Sequence, residues 1–257
     1  MIFHRMIFHR LASGLIAGAI AGLLAALLHF SFVQEYILLS ESYETGTVTH
    51  FPDGHVGHDA PQTQSDNSQT DTTGADAQLK PLQHVHGSFD AGSFLTRDVG
   101  TVLFTVLTYA AYGLILVTAF GLAELIGAKI RPEQGVLWGM AGFAALQMAP
   151  AMGVAPQLPG TIAADLLERQ TWWLITALAT ALSLALVAFG RTKSMAGLGL
   201  VVMALPHIYG APTIEGFWGA APPEVAGTFS ARVLGVGLAS WVVLGWLCTK
   251  EWAKGAK

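Results

Sequence analysis

Residues 11–33 read LASGLIAGAIAGLLAALLHFSFV, an apolar run of about 23 residues that carries no acidic or basic charge. A transmembrane helix needs about 20 apolar residues in succession, whereas the apolar part of a cleaved signal peptide has only about 7 to 15. We therefore predict that this run stays in the protein as its first membrane-spanning helix. Gly14, Gly18 and Gly22 recur within it at a four-residue spacing, which allows a second helix to approach closely.

Five further apolar runs follow the first one, at 101–122, 135–152, 172–190, 195–209 and 233–248. The composition agrees with a membrane location, because 53% of the residues are hydrophobic and 12% are charged; soluble domains average about 25% charged. We predict an all-α fold, a polytopic helix bundle with about six transmembrane helices. The run 195–209 is short for a span, which leaves five spans as the alternative.

The positive charges predict the orientation of this bundle. With six spans, nine Lys and Arg residues fall on the side of the N-terminus and four on the opposite side. Cytoplasmic loops carry the excess of Lys and Arg, so we expect both termini in the cytoplasm and the chain in a bacterial inner membrane. The nine Lys and Arg residues are Arg5, Arg10, Lys129, Arg131, Arg191, Lys193, Lys250, Lys254 and Lys257, and the four are Lys80, Arg97, Arg169 and Arg232.

The first ten residues consist of the sequence MIFHR repeated twice, so Met1 and Met6 are alternative starts.

The chain divides into three parts: 1–33 with the basic N-terminus and first helix, 34–99, and 100–257 with the remaining helices. We predict that 34–99 is an extracytoplasmic loop and that its stretch from Thr45 to Gly92 is disordered, because this stretch holds too few apolar residues to offset the entropy of ordering. Five of the nine histidines of the chain lie there among aspartates, and imidazole is the commonest protein ligand for Co, Ni or Zn. We predict weak metal capture, with a solvated linker as the alternative. The five are His50, His55, His58, His84 and His86.

A second set of candidate metal ligands lies at the predicted outer ends of the helices. Glu41 and Glu44 share one helix face, and Pro206 with the Gly210-Ala-Pro212 turn should break the helix beside His207. We predict that a translocation entrance forms where these side chains converge, although an acidic helix end and hydrogen-bonded histidines would look similar. The predicted ligands are His29, Glu41, Glu44, Met148 and His207, with Gln147 at the same depth.

Two rows of hydroxyl side chains follow helical spacing and should point into the bundle. One is Thr101, Thr105, Thr108 and Tyr112; the other is Thr176, Thr180 and Ser183. Hydroxyl rows usually join helices and less often line a path.

Several functions have no support in the sequence. We find no G-x-x-x-x-G-K-[ST], H-E-x-x-H or G-x-S-x-G motif, and the single cysteine excludes a disulfide within the chain. The net charge of −4 does not favour nucleic-acid binding. We therefore expect a chain that is not an enzyme, binds no organic cofactor and has no nucleic-acid partner.

Several short motifs, spread in order over nearly the whole chain, resemble the CbtA family of proposed cobalt transporter subunits. They are the glycine-rich first span after a basic start, ESYE at 41–44, GVLWGMAGF at 135–143, PQLPG at 156–160, RQTWW at 169–173 and Pro206-His207 with Gly210-Ala-Pro212.

The resemblance implies cobalt(2+) uptake for cobalamin synthesis, beside a small single-span CbtB-like subunit that carries histidines. The family is often described with five spans, whereas this sequence favours six. Three alternatives stay open: a metal-binding accessory or sensor subunit, a nickel or zinc transporter, and a membrane-embedded enzyme or electron carrier. Homo-oligomerisation is also open.

Overall fold

The computed structural model describes residues 2–48, 94–214, 216 and 219–254, and in this part of the chain all of the extended regular elements are helices. The predicted all-α fold is confirmed, with a single β-bridge between Thr161 and Gly219. The helices are α1 (Ile2–Phe32), α2 (Gln34–Glu44), α3 (Val99–Leu125), α4 (Gly135–Phe143), α5 (Leu166–Phe189), α6 (Lys193–Tyr209) and α7 (Pro223–Lys254). A π-turn, Ala144–Met148, and a last turn, Ala149–Ala151, extend α4.

The predicted loop 34–99 is helical at both of its ends. It begins with α2 and closes with a π-turn at Phe94–Asp98 that leads into α3. The 34–44 stretch still carries enough apolar side chains to dock: Tyr36 and Ile37 pack against the buried Val33 and Phe229. The five loop histidines and all but the first four residues of the stretch predicted to be disordered, 45–92, lie outside the described residues.

In the described part of the chain, four helices are long and apolar enough to cross a membrane: Phe8–Phe32, Thr96–Leu125, Leu166–Phe189 and Pro223–Lys254. The other two predicted spans form shorter helices. α6 has 17 residues, and the 135–151 segment consists of pieces of 9, 5 and 3 residues. At about 1.5 Å per residue, 17 residues cover about 25 Å, less than the ~30 Å hydrocarbon core of a bilayer. Six full spans are therefore not confirmed.

The helices pack in a defined order of neighbours. α1 packs against both α3 and α7, and α4 packs against α7. The hairpin of α5 and α6 joins this group mainly through the contacts of α5 with the 144–151 turns. Among the described helices, α6 packs chiefly against α5.

The predicted close contact of the first helix is confirmed, and its partner is α3. A Cβ atom on Gly18 would lie 2.5 Å from the Ala110 Cα, and one on Gly22 would lie 2.7 Å from the Val106 Cα. Gly113 in turn lies directly against the Gly14 carbonyl group. Backbones this close leave no room for side chains, which explains the spacing of the glycines in α1.

Large apolar side chains point away from the bundle, as expected for contact with lipid. Leu23, Leu103, Phe104 and Leu178 are all more than half exposed, whereas the interior of α1 is lined by small residues such as Ala21. A water-soluble bundle would bury the large side chains and expose polar ones. The arrangement therefore fits a helix bundle that packs by backbone approach inside a membrane.

The two ends of the bundle differ in chemistry. At one end, which we call the termini end, the Arg10 guanidinium pairs with Glu124 at 2.9 Å and lies 3.9 Å from the centre of the Trp252 ring. The Trp252 Nε1 donates a 2.7 Å hydrogen bond to the same carboxylate. The N-terminal part of α1 and the C-terminal part of α7 thus lie at the same end of the bundle. The opposite end, with α2, 152–165, 210–214 and 219–222, is called the loop end.

Candidate functional site

The acidic residues of α2 are distributed around the loop end. Glu41 pairs with Arg97 at 2.8 Å, and Glu35 pairs with Arg232 at 2.8 Å. Glu44 instead lies against the 152–165 segment, since a Cβ on Gly160 would be 3.2 Å from its carboxyl carbon. These three carboxylates therefore face different partners and do not form one cluster.

His207 lies in the last turn of α6, edge-on to the Trp172 ring with 5.9 Å between ring centres. The predicted break of the helix at Pro206 does not occur. α6 continues to Tyr209, because Gly210 still donates a 3.0 Å hydrogen bond to the Pro206 carbonyl group, and it ends where Gly210 takes a φ of +95°. Proline lacks only its own donor, so the carbonyl group of Pro206 remains available to the helix.

A groove of about 1150 Å³ opens between α5 and α6 close to this histidine. Its lining includes Glu168, Trp172, Pro206 and Tyr209. Glu168 supplies the one carboxylate of this lining, and the lining is otherwise mostly apolar. The groove offers access to the α6 terminus without providing a set of metal ligands of its own.

The remaining predicted ligands lie apart from His207. His29 is half-buried on α1 beside the Phe30 ring, and Met148 is 44% exposed. Across 2–48, 94–214, 216 and 219–254, the structure contains no group of three or more His, Cys, Asp or Glu side chains that could hold a metal ion. Hence the predicted entrance is not assembled in this conformation, and its five residues remain a prediction.

A polar site that the sequence reasoning missed lies in the interior of the bundle. The phenol groups of Tyr109 and Tyr112 lie near the Gln147 side chain, and that of Tyr109 also lies near Ser240. The Tyr112 ring stacks on Trp241, with 4.8 Å between centres. We call these five side chains, which come from α3, the π-turn and α7, the central polar cluster.

Two polar atoms of the central polar cluster are buried without a hydrogen-bond partner among the described residues, namely Gln147 Oε1 and Trp241 Nε1. Trp241 is completely buried. Burying an amide oxygen or an indole N–H without a partner is unfavourable, and proteins usually avoid it. The cluster therefore retains unused capacity to bind a polar or charged group.

Local backbone geometry puts the Gln147 amide in this position. The residue lies in the π-turn, whose extra residue per turn directs Gln147 inward while the adjacent Met148 is exposed. On α7, a Cβ atom at Gly237 would collide with Gln147 Oε1, so only glycine leaves space for the amide there. A lone glutamine inside an apolar run was the signal in the sequence, but we had placed it with the outer ligands.

The hydroxyl row of α5 points inward as predicted. Thr176, Thr180 and Ser183 are all fully or almost fully buried, and none of their hydroxyl groups has a partner in the described part of the chain. α5 packs against the same π-turn that carries Gln147. The corresponding row on α3 is only half-buried; its Thr108 hydroxyl donates to the Phe104 carbonyl group of the same helix, and its Thr101 hydroxyl donates to the Arg97 carbonyl group in the preceding π-turn.

Comparison with known proteins gives one match. A family model described as probable cobalt transporter subunit (CbtA) matches residues 8–253, nearly the whole chain. No curated protein and no solved structure matches.

Proposed function

The chain belongs to the CbtA family of probable cobalt transporter subunits, and from that membership we propose that it imports Co²⁺ for cobalamin synthesis. The family match along 8–253 is the observation that carries this proposal. The four long apolar helices, with large apolar side chains facing outward, support a role inside the membrane. Nickel or zinc import is the alternative within the same chemistry, because imidazole and carboxylate ligands suit all three ions.

We further propose that the loop end faces the extracytoplasmic side of a bacterial inner membrane. Six crossings, with α4 and α6 spanning a locally thinned bilayer, would leave both termini in the cytoplasm. The shared location of the first and last helix ends, shown by the Arg10–Glu124–Trp252 contacts, supports an even number of crossings.

We expect a reporter that is active only in the cytoplasm to be active when fused after Lys257. The positive-inside rule predicts this result, because Lys250, Lys254 and Lys257 follow the last span. The same reporter inserted after Val48, at the loop end, serves as the control and should be inactive. An inactive C-terminal fusion would contradict the six-span orientation and favour five spans.

The route into the bundle is proposed in two stages. His50, His55, His58, His84 and His86 would collect Co²⁺ weakly. The entrance would then replace part of the water shell of the Co²⁺ ion. Its proposed ligands are His29, Glu41, Glu44, Met148 and His207. Several ligands must act together at this step, because no single side chain offsets the cost of removing a divalent ion from water. A small single-span CbtB-like subunit with histidines is the proposed partner, and the family description as a subunit supports it.

Metal uptake by cells tests the function. Cells that express the chain together with its proposed partner should accumulate Co²⁺ several-fold faster than cells with neither protein. Excess Ni²⁺ or Zn²⁺ should compete weakly if cobalt is the main cargo. Equal accumulation in both cell types, combined with Co²⁺ binding by the purified protein, would contradict import and support the accessory or sensor alternative.

A further inference from the structure

We infer that the central polar cluster is a second cation site, in which Gln147 Oε1 and the phenol oxygens of Tyr109 and Tyr112 bind a partly hydrated divalent cation. The identity of the cation as Co²⁺ rests on the proposed function. The capacity to bind it rests on the geometry of α3, the π-turn and α7 alone.

The unpaired atoms are the first argument for this site. Gln147 Oε1 is buried and accepts no hydrogen bond from the described part of the chain, and the Gln147 side chain lies beside two phenol groups. An unpaired acceptor in a membrane interior is costly, because neither water nor a neighbouring helix compensates for it. A cation, or a water molecule in the shell of a cation, would be the partner that this oxygen lacks.

The nature of the ligands is the second argument. An amide, two phenols and the Ser240 hydroxyl are neutral oxygen donors, which can replace water around an ion without adding a formal negative charge. A carboxylate cage would hold a divalent ion strongly, whereas conduction needs binding that is favourable but easily reversed. Neutral oxygens therefore suit a site that an ion passes through.

The depth of the cluster is the third argument. Tyr109 lies where α3 contacts Gly18, in the middle of the first span. Gly18 is separated from His29 by about 16 Å along α1, at about 1.5 Å per residue. The cluster thus lies between the loop end and the Arg10–Glu124 pair at the termini end. An ion that enters at the loop end would need such an intermediate site.

The α5 hydroxyl row extends the polar lining past the π-turn. Thr176, Thr180 and Ser183 are buried on the helix that packs against this turn, and their hydroxyl groups find no hydrogen-bond partner among the residues that the structure describes. A π-turn is rare and is frequently found at functional sites. In this protein the π-turn directs Gln147 toward the two tyrosines of α3, and the same turn packs against α5.

Gln147→Leu and Gly237→Ala test the site through two independent changes. The first removes the amide oxygen, and the second forces the amide out of its place because a Cβ on Gly237 would overlap Oε1. Gly235→Ala is the matched control, since nothing lies within 4 Å of a Cβ at that position on the same helix. We expect at least a tenfold lower maximal rate of Co²⁺ uptake in both test variants at unchanged abundance, and a normal rate in the control.

Gln147→Asn covers the case in which Gln147→Leu fails to accumulate, because it keeps the amide but withdraws its oxygen from the tyrosines. A normal uptake rate in folded Gln147→Asn and Gly237→Ala proteins would overturn this inference and leave the proposed function intact.

Direct binding separates the two proposals if the unmodified chain shows no uptake. CoCl₂ is titrated into the purified full chain at about pH 5, where histidines with an ordinary pKa of about 6.5 are largely protonated and no longer bind metal. The neutral oxygens of the central polar cluster stay available. One Co²⁺ fewer bound by Gln147→Leu than by Gly235→Ala supports the site even without transport. Equal binding by the two variants overturns it.

Discussion

Replacing Gly18 with leucine is expected to remove most of the folded protein from the membrane. The Gly18 Cα faces the α3 backbone so closely that a Cβ alone would lie 2.5 Å from the Ala110 Cα. A leucine side chain must therefore push α1 and α3 apart along their whole contact, which also separates the Gly14 and Gly113 backbones. Overpacking a well-packed site costs about 1–3 kcal/mol when side chains can adjust, and displaced backbone has less freedom to do so.

The measurement is the amount of monodisperse protein extracted from membranes. We expect at least about a tenfold loss for Gly18→Leu, since each 1.4 kcal/mol changes the folded-to-unfolded ratio tenfold. Gly227→Leu is the control, because a Cβ at Gly227 meets nothing within 4 Å. Wild-type amounts of Gly18→Leu protein would show that α1 and α3 do not pack through these glycines.

Features that repeat along one helix could be predicted from the sequence. The glycine spacing in α1 indicated a close helix contact, and the hydroxyl spacing in α5 indicated an inward face; both are present in the structure. These predictions succeed because the α-helical period fixes which residues share a face. The sequence did not indicate which helix the glycines would meet, since several of the other helices also contain small residues.

The π-turn shows where this reasoning fails. A regular helix through 135–152 does not account for the actual directions of Gln147 and Met148, and the sequence contains no marker for the extra residue of a π-turn. The inserted residue shifts the face on which all later side chains lie. As a result, a glutamine that we assigned to the outer ligands lies in the central polar cluster instead.

Depth along the membrane normal was also insufficient to predict which of the entrance ligands lie close together. His29 and His207 were grouped because their positions in the spans are comparable, but proximity also depends on the order in which helices pack. α6 packs chiefly against α5, whereas α1 packs against α3 and α7. Gathering these ligands would require the α5–α6 hairpin to move toward α1, a rearrangement common in transporters that alternate between two states.

Glu44→Gln and His207→Ala are each expected to abolish Co²⁺ uptake while the protein remains in the membrane. Glu44 contacts the 152–165 segment directly, whereas His207 is connected to it through Trp172. Glu44 lies against Gly160, and His207 packs on Trp172, whose ring lies against Gly153. A movement of the 152–165 segment would therefore change the surroundings of both side chains, and each supplies a metal ligand that the other cannot replace.

The controls share chemistry with the test variants but lie elsewhere. Glu35→Gln removes a carboxylate from the same helix as Glu44, one that already pairs with Arg232. His9→Ala removes an exposed histidine near the termini end. We expect both control variants to take up Co²⁺ at close to the normal rate. Loss of uptake in Glu35→Gln as well would indicate a general effect of acidic charge at the loop end. Normal uptake in both test variants, at normal abundance, would show that the entrance lies elsewhere even though the chain belongs to the CbtA family.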